Sequence, residues 1–208
     1  RMSFEPQLPE WGLEKFEKHK ERLLKYHSWL VDTGIKTGLI SNKSKQFVWD
    51  EFIIHSLYFA LLINKKTEEN HEKLEIFDIG TGAGIPGIPI SIVQKGSVKL
   101  IDIKQKRIYE LERLIKILNL KNAIAKKEDA KSIFKNVKNS IIVMRCYEST
   151  SNILKMLENQ NLINKNLTFY ISSNAKTLEK FNNLFHVKQE KFLINKNNFR
   201  YIDVITDM

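Results

Sequence analysis

The chain contains almost no cysteine and no long apolar run. Cys146 is the only cysteine among 208 residues, so neither an internal disulfide nor a cysteine metal cluster can form. No uninterrupted apolar segment reaches the ~18 residues that span a bilayer, and the N-terminus lacks a basic stretch followed by a hydrophobic one. These absences predict a cytoplasmic protein with no membrane segment and no metal site.

Glycine is also scarce, and its most informative members stand together. Residues 75–89 read EIFDIGTGAGIPGIP, an apolar strand that ends on Asp78 and opens into Gly80, Gly82 and Gly84. In α/β proteins a strand, glycine loop and helix in this order bring a nucleotide-like ligand against bare backbone, where side chains would block its approach. The segment therefore predicts a cofactor that carries adenosine.

Two cofactor classes compete for this loop. Residues 82–87, GAGIPG, satisfy the G-x-G-x-x-G pattern of dinucleotide binders, whose helix N-terminus faces a pyrophosphate. Asp78 favours S-adenosylmethionine instead, because a carboxylate beside the loop repels a pyrophosphate and attracts the ammonium of an amino-acid tail. A helix or turn cap is the alternative role for Asp78. Asp102 lies near the carboxyl end of the next predicted strand and suits the ribose hydroxyls of either class.

From residue 74 onward, strands and helices alternate, which is typical of a mostly parallel α/β sheet. The predicted strands are Leu74–Ile79, Val98–Ile103, Ala123–Lys126, Ser140–Met144, Leu167–Ser172, Val187–Leu193 and Phe199–Thr206. The predicted helices between them are Pro86–Gln94, Lys104–Leu118, Ser149–Glu158 and Thr177–Phe185. The last two strands are separated only by the turn-like residues 194–198 and should form an antiparallel hairpin. This arrangement predicts a seven-stranded Rossmann-like methyltransferase fold, and a dehydrogenase would need a further substrate domain.

The first part of the chain has a different pattern. Helical spacing of apolar residues predicts helices over Pro9–Val31 and Lys45–Ile63, followed by the polar stretch Lys65–Lys73, which has no periodic apolar signal. We therefore expect residues 1–72 to form a helical extension packed on the core, and residues 73–208 to form the cofactor-binding domain.

The charge is unevenly divided between these two parts. Residues 1–72 contain 11 Lys+Arg and 11 Asp+Glu, whereas residues 73–208 contain 23 and 13, so the whole net charge of +10 lies in the second part. A basic cofactor domain suggests a polyanionic substrate, because phosphate contacts supply affinity. The alternative is a solvated surface in a chain rich in Lys, Asn and Ile throughout.

The segment Asp78–Pro89, DIGTGAGIPGIP, resembles the signature of the RsmG (GidB) family of small-subunit ribosomal RNA methyltransferases, which methylate nitrogen-7 of one guanine. The two prolines after the third glycine make the likeness specific. Leu100-Ile101-Asp102 with the helix that follows, and Val143-Met144-Arg145, resemble the family's second and fourth strands. The likeness covers about residues 38–207 and is firm over 78–145.

The resemblance implies roles for several residues. Gly80 and Ile85 match loop positions that line the cofactor, Ala130 and Lys131 match positions that wrap the adenine by backbone, and Arg145 matches an arginine at the mouth of the pocket. The residues predicted to bind the cofactor are thus Asp78, Gly80, Gly82, Gly84, Ile85, Asp102, Ala130, Lys131 and Arg145.

Some positions depart from the family pattern. The family's His-x-x-Asp-Ser reads Phe52-Ile53-Ile54-His55-Ser56 here, its small residues after the arginine read Cys146-Tyr147-Glu148, and its Leu-Lys-Gly after the fifth strand reads Ile171-Ser172-Ser173. These changes leave the cofactor site intact and bear on the choice of nucleotide.

The reaction implied by the resemblance needs no general base, because nitrogen-7 of guanine attacks through an in-plane lone pair without losing a proton. We therefore predict no catalytic acid or base, and expect Arg145, Tyr147 and Arg200 to bind a splayed guanine or its backbone. We expect the protein to be a monomer, and its expected partner is ribosomal RNA or the small ribosomal subunit. The alternatives are a methyltransferase acting on another RNA or a small molecule, a nicotinamide-dependent reductase, and a non-catalytic RNA-binding protein.

Overall fold

A seven-stranded sheet organises the part of the chain that the structure, a computed structural model, describes: residues 3–71, 73–160, 162, 164–174 and 185–207. The strands are β1 Glu75–Ile79, β2 Val98–Asp102, β3 Ala123–Lys127, β4 Ser140–Met144, β5 Leu167–Ser173, β6 Phe185–Leu193 and β7 Phe199–Asp207. The helices are α1 Glu10–Phe16, α2 Lys20–Trp29, α3 Lys45–Phe47, α4 His55–Asn70, α5 Gly87–Val93, α6 Gln105–Ile117, α7 Ala130–Asn136 and α8 Thr150–Asn159.

The strand order is β3-β2-β1-β4-β5-β7-β6. Strands β1 to β5 run parallel, and β7 lies antiparallel between β5 and β6. The chain moves outward in one direction from β1 and in the other from β4, so the crevice between their carboxyl ends is the expected ligand site. The predicted fold class and the terminal hairpin are both confirmed, and the Ile194 N–H closes the turn on the Asn198 carbonyl at 2.9 Å.

Helices cover both faces of the sheet. In α6, Ile108, Leu111 and Leu114 repeat at three-residue spacing and are buried, which places one stripe of the helix on the sheet. The sequence pattern gave no bounds for helix α7. This helix begins after Asp129, whose carboxylate accepts the Lys131 N–H at 3.1 Å. The predicted helix Thr177–Phe185 lies outside the described residues, except for Phe185, which begins β6.

The second N-terminal helix is longer than predicted. It begins at Lys45, where the Ser44 hydroxyl accepts the Phe47 N–H at 3.0 Å. It then continues through the π-helical segment Val48–Ile54 into α4 and ends at Asn70. The polar stretch Lys65–Lys73, predicted as the boundary between the two parts, therefore lies largely in the last turns of this helix. Its lysines and glutamates are good helix formers, and the stretch needs no buried face to continue a helix that the core has already nucleated.

One helix, Lys45–Glu69, is long and apolar enough to cross a membrane when judged by length and composition alone. An 18-residue segment of this helix has a mean hydropathy of 1.3, and 56% of that segment is buried inside the protein. Val48, Ile53, Leu57 and Phe59 are fully buried. A helix that neighbouring elements cover on several sides is apolar all round. The burial of these side chains shows that Lys45–Glu69 packs as such a core helix.

The N-terminal helices share a hydrophobic core with the sheet. Leu23, Tyr26 and Trp49 belong to the same buried cluster as Ile88 of α5 and Leu100 of β2. A second cluster on the other face joins α7 and α8 to the sheet, with members such as Phe134, Ile153, Leu157, Phe169 and Ile142. The extension thus forms one outer layer of a three-layer arrangement and lies against the glycine loop.

Candidate functional site

The loop between β1 and α5 presents bare backbone at the carboxyl edge of the sheet. Gly80 and Gly82 have φ of +69° and +58°, in the left-handed region that side chains disfavour. A Cβ built on Gly82 would meet no atom within 4 Å. A Cβ built on Gly84 would collide with Ile88 and press against Leu111. Gly82 therefore marks the open face of the loop, and Gly84 marks the face that packs against helices α5 and α6.

Asp78 lies beneath this loop and is fully buried. Its Oδ2 accepts the Thr81 hydroxyl at 2.7 Å and the Gly87 N–H at 2.8 Å, and its Oδ1 has no partner among the described residues. Burial raises the pKa of Asp78 well above its usual value, and the two hydrogen bonds act in the opposite direction. The cap role named as an alternative is therefore present, since Gly87 begins α5. An ammonium contact stays a prediction, with Oδ1 as the atom that could make it.

Asp102 holds the loop from the neighbouring strand. Its Oδ2 accepts the Gly82 N–H at 3.0 Å, and its Oδ1 accepts the Lys104 N–H at 3.1 Å. The Arg107 guanidinium lies 3.2 Å from Oδ2. This buried carboxylate therefore stands directly beside the open position at Gly82, and its ribose role stays a prediction.

Tyr26 reaches the loop from the N-terminal extension, and no local sequence pattern pointed to it. Its hydroxyl donates to the Ala83 carbonyl at 2.8 Å, between residues 57 positions apart in the chain. Burial raises the pKa of Tyr26 well above 10, and the nearby Asp78 raises it further. The loop is thus fixed from three sides, by Asp78, Asp102 and Tyr26.

The ring of Tyr147 covers Gly80. A Cβ built on Gly80 would lie 2.5 Å from Tyr147 Cδ2. The preceding residue, Cys146, has a φ of +56°, and its N–H donates to the Ser172 hydroxyl at 3.1 Å. Tyr147 is 46% exposed, and burial followed by the charge of Asp129 raises its pKa. The ring therefore lies across the crevice between β1 and β4, with its surface half open to solvent.

Arg145, at the end of β4, is held by two residues from the N-terminal helix. Its Nε donates to His55 Nδ1 at 3.4 Å, and its Cζ lies 4.9 Å from the centroid of the Phe52 ring. Burial lowers the pKa of Arg145. Burial also lowers the pKa of His55 well below 6.5, as do the charges of Arg145 and Arg200. His55 is therefore a neutral acceptor. The two family positions that read Phe52 and His55 here are those that contact this arginine.

Arg200, near the start of β7, pairs with Glu51 through two hydrogen bonds. Its Nε lies 3.1 Å from Oε2 of Glu51, and Nη2 contacts Oε1. Since β7 is antiparallel to β5, its first residues lie at the carboxyl edge of the parallel strands. Arg200 and Arg145 are thus at the same edge of the sheet, and each influences the electrostatics of His55.

The remaining predicted residues lie around the same crevice. Ala130 is buried at the start of α7, and the N–H of the exposed Lys131 is already donated to Asp129. Ile85 is buried, and its N–H donates to the Thr81 carbonyl at 3.1 Å. The predicted site residues therefore gather at the carboxyl ends of β1 to β4 and the start of β7. Tyr26, Glu51, Phe52 and His55 complete the site from the extension.

A comparison with known families finds one match that covers most of the chain. Residues 19–198 match the profile of GidB, described as rRNA small subunit methyltransferase G. The chain belongs to the GidB family. This confirms the resemblance drawn from the glycine loop, and it extends the likeness from residue 38 back to residue 19, which includes Tyr26.

Curated members of the GidB family are similar at about 30% identity. Ribosomal RNA small subunit methyltransferase G of Oenococcus oeni is 32% identical over 137 residues, covering 64% of this chain and 55% of the relative. The protein of the same name from Mesoplasma florum is 32% identical over 148 residues, covering 70% of this chain and 60% of the relative. The matched part of this GidB chain thus spans little more than half the length of these relatives.

Solved structures show the same fold as this GidB chain at low sequence identity. A protein from Klebsiella pneumoniae assigned as an O-methyltransferase superimposes with a TM-score of 0.56 at 9% identity, covering 90% of this chain and 88% of that one. Escherichia coli yhhF, assigned as a methyltransferase, gives 0.51 at 13% identity, covering 70% and 82%. The fold is the Rossmann-like methyltransferase fold.

Proposed function

We propose that this protein is an S-adenosylmethionine-dependent methyltransferase that methylates nitrogen-7 of a guanine in 16S ribosomal RNA. One observation carries the proposal beyond family membership. The glycine loop has an open, side-chain-free face at Gly82, and the Asp102 carboxylate binds the N–H of that same residue. The proposal also assigns the protein to the bacterial cytoplasm, where its substrate is found.

The residues of the crevice fit S-adenosylmethionine. The bare backbone at Gly82 admits a flat adenosine group, and the buried Asp102 offers carboxylate oxygens to ribose hydroxyls. Asp78 Oδ1, which has no partner among the residues that the structure describes, can accept from an ammonium. The cofactor supplies a methyl group bound to a sulfonium, which is electrophilic without further activation. We assign its binding to Asp78, Gly80, Gly82, Gly84, Ile85, Asp102, Ala130, Lys131 and Arg145.

The chain's own residues then act by orientation. Guanine nitrogen-7 carries a lone pair in the plane of the base, so no side chain has to remove a proton before transfer. Holding the acceptor in line with the methyl group supplies an effect worth up to ~7–11 kcal/mol. We assign this positioning to Tyr147, Arg145 and Arg200, which lie around the crevice between β1 and β4 and along the same edge of the sheet.

The deciding experiment measures methyl transfer to RNA. The protein is incubated with radiolabelled S-adenosylmethionine and with small subunits, or naked 16S RNA, from cells that lack the modification. We expect label on one guanine, removed when that guanine is changed. Label on another RNA or on a small molecule would keep the cofactor and overturn the target. Absence of both label and cofactor binding would overturn the methyltransferase proposal.

Gly82→Val tests the loop within this proposal. A branched side chain at Gly82 would fill the open face and strain a backbone of φ +58°. We expect calorimetry to detect no binding of S-adenosylhomocysteine to the variant, while far-UV circular dichroism stays native-like. Unchanged affinity would remove this face of the loop from the cofactor site.

A further inference from the structure

A series of contacts between cations and aromatic rings runs from the half-buried Arg145 out to the start of the N-terminal helix. The Arg145 guanidinium lies 4.9 Å from the Phe52 ring centroid. Phe52 meets Phe47 edge to face at 5.8 Å, and Lys43 Nζ lies 5.0 Å from the centroid of Phe47. Each contact joins the next, so the four side chains form a continuous path that leads out of the proposed site.

A second group of the same composition lies at the same edge of the sheet. The Nζ of Lys191 stands 4.2 Å from the ring centroid of Phe199, and Phe199 precedes Arg200 at the start of β7. Arg200 pairs with Glu51, the residue next to Phe52. Because this pair joins β7 to the N-terminal helix, the two groups border one another. We call their seven aromatic and cationic residues, Lys43, Phe47, Phe52, Arg145, Lys191, Phe199 and Arg200, the cation–aromatic strip.

Two rings of the strip are partly exposed to solvent. Phe47 is 38% exposed and Phe199 is 43% exposed, and each has a lysine ammonium over its ring. A ring that solvent reaches at a site edge can stack on a base, since every base has an apolar face. The exposed rings are therefore suited to a partner with flat apolar surfaces.

The charge of the strip specifies that partner further. Within the described part of the chain, no carboxylate oxygen lies within 4.0 Å of the side-chain nitrogens of Lys43, Arg145 or Lys191, and the ion pair of Glu51 is with Arg200. Glu51 acts on the half-buried Arg145 only at longer range, so a phosphate close to that guanidinium would be favourable. Flat apolar faces combined with regularly spaced negative charge describe a nucleic acid whose bases are unpaired.

We propose that the cation–aromatic strip binds a single-stranded segment of the substrate RNA next to the target guanine. The rings of Phe47 and Phe199 stack on bases, and Lys43, Lys191 and Arg145 contact phosphates. The inference rests on the proposed function and extends it, because it gives the RNA a path from the crevice along the start of β7 and the N-terminal helix. The duplex parts of the RNA lie outside the strip, because their base faces are covered.

Binding of a labelled RNA to the full chain tests the strip. The probe is a fluorescein-labelled single-stranded RNA of about 12 nucleotides, within the range that stacking platforms bind, and the comparison probe is a duplex of the same sequence. We expect Phe47→Ala to weaken binding of the single strand about tenfold or more, with no change in affinity for S-adenosylhomocysteine. The matched control is Ile117→Ala, which shortens another exposed apolar side chain, 48% exposed, at the end of α6.

A charge variant gives an independent measurement. Lys43→Met should weaken binding and reduce the slope of log Kd against log salt by about 0.7, the value for one phosphate contact on a single strand. Arg113→Met is its control, because the Arg113 side chain is 75% exposed on α6. If Phe47→Ala fails to fold by circular dichroism, Phe199→Ala carries the same expectation.

Three results would overturn the inference. The first is that the wild-type chain does not bind the single strand. The second is that Phe47→Ala or Phe199→Ala binds it as tightly as Ile117→Ala does. The third is that these ring variants lose as much affinity for the duplex as for the single strand. Failure of the proposed function looks different. A chain that binds the single strand through Phe47, and transfers no methyl group to 16S RNA, would keep the strip and overturn the assigned reaction.

Discussion

At the scale of single residues, His55 is the group whose protonation the fold most clearly resists. Its imidazole is packed against Phe59 and Phe192, with ring centroids at 5.6 and 5.4 Å, and its Nδ1 accepts from Arg145. The positive charges facing it are Arg145 and Arg200, and Glu51 offsets the second. Protonation would remove the acceptor and add a third positive charge to this cluster.

This predicts a pH dependence of stability. Burial places the pKa of His55 well below the value of 6.5 that it has in the unfolded chain. Below pH 6.5 the unfolded chain therefore binds a proton that the native protein does not. The free energy of unfolding contributed by His55 is fully present above about pH 6.5 and falls as the pH drops, by up to ~1.4 kcal/mol per pH unit. We expect His55→Asn to flatten that slope in urea titrations between about pH 5 and 7. Equal slopes in the two proteins would contradict it.

Asp102 carries a second prediction at this scale. Replacing it with alanine removes the acceptor of the Gly82 N–H and the carboxylate assigned to the ribose. We expect Asp102→Ala to weaken S-adenosylmethionine binding by about 1–3 kcal/mol, measured by calorimetry. Arg113→Ala, on the exposed side of α6, should leave it unaltered, and an unaltered dissociation constant for Asp102→Ala would refute the ribose role.

At the scale of elements, the hydrogen bond from Tyr26 to Ala83 couples helix α2 to the glycine loop. Tyr26→Phe removes the donor to the Ala83 carbonyl and leaves that carbonyl buried without its partner, at a cost of about 1–3 kcal/mol. We expect the variant to lose both stability and cofactor affinity, because the loop that Tyr26 fixes is the one assigned to the cofactor.

Trp11→Phe is the control for that prediction. It removes a similar bond from the N-terminal region, in which Trp11 Nε1 donates to the Leu193 carbonyl at 2.8 Å. That bond is remote from the loop in sequence and reaches the terminal hairpin. We expect lower stability and unchanged affinity. Equal affinity for Tyr26→Phe and Trp11→Phe would show that Tyr26 supports only the fold.

The elements differ in how far the sequence could predict them. The strands were predicted within two residues at each end. For β1, β2, β4 and β5 the reason is that strands buried on both faces appear as continuous apolar runs. The end of α4 was missed, since residues 65–70 are polar and a helix can continue into solvent without an apolar stripe. The contact between Tyr26 and Ala83 leaves no local pattern, because it depends on how a distant helix packs. The cap role of Asp78 followed from the residue's place between strand and helix.

At the scale of the whole molecule, the extension and the sheet share one hydrophobic core. Leu23, Tyr26 and Trp49 lie in the same buried cluster as Ile88 and Leu100. Removing residues 1–72 would expose that side of the cluster, where each fully buried large apolar side chain contributes about 1.5–3 kcal/mol, against the 5–15 kcal/mol that typically stabilises a domain. We expect a chain of residues 73–208 to show no cooperative thermal transition by circular dichroism. A sharp transition with native-like ellipticity would mean that the cofactor domain folds alone.

The placement of tryptophan gives the molecule an optical asymmetry. All three tryptophans, Trp11, Trp29 and Trp49, lie in the first quarter of the chain, while the sheet contains none. The ring of Trp29 lies 6.4 Å from that of Tyr26, which bonds the glycine loop. Emission excited at a wavelength that only indole absorbs therefore reports on the extension, while ellipticity reports on the whole backbone. Binding of a ligand to the loop would therefore change the tryptophan fluorescence of the N-terminal helices.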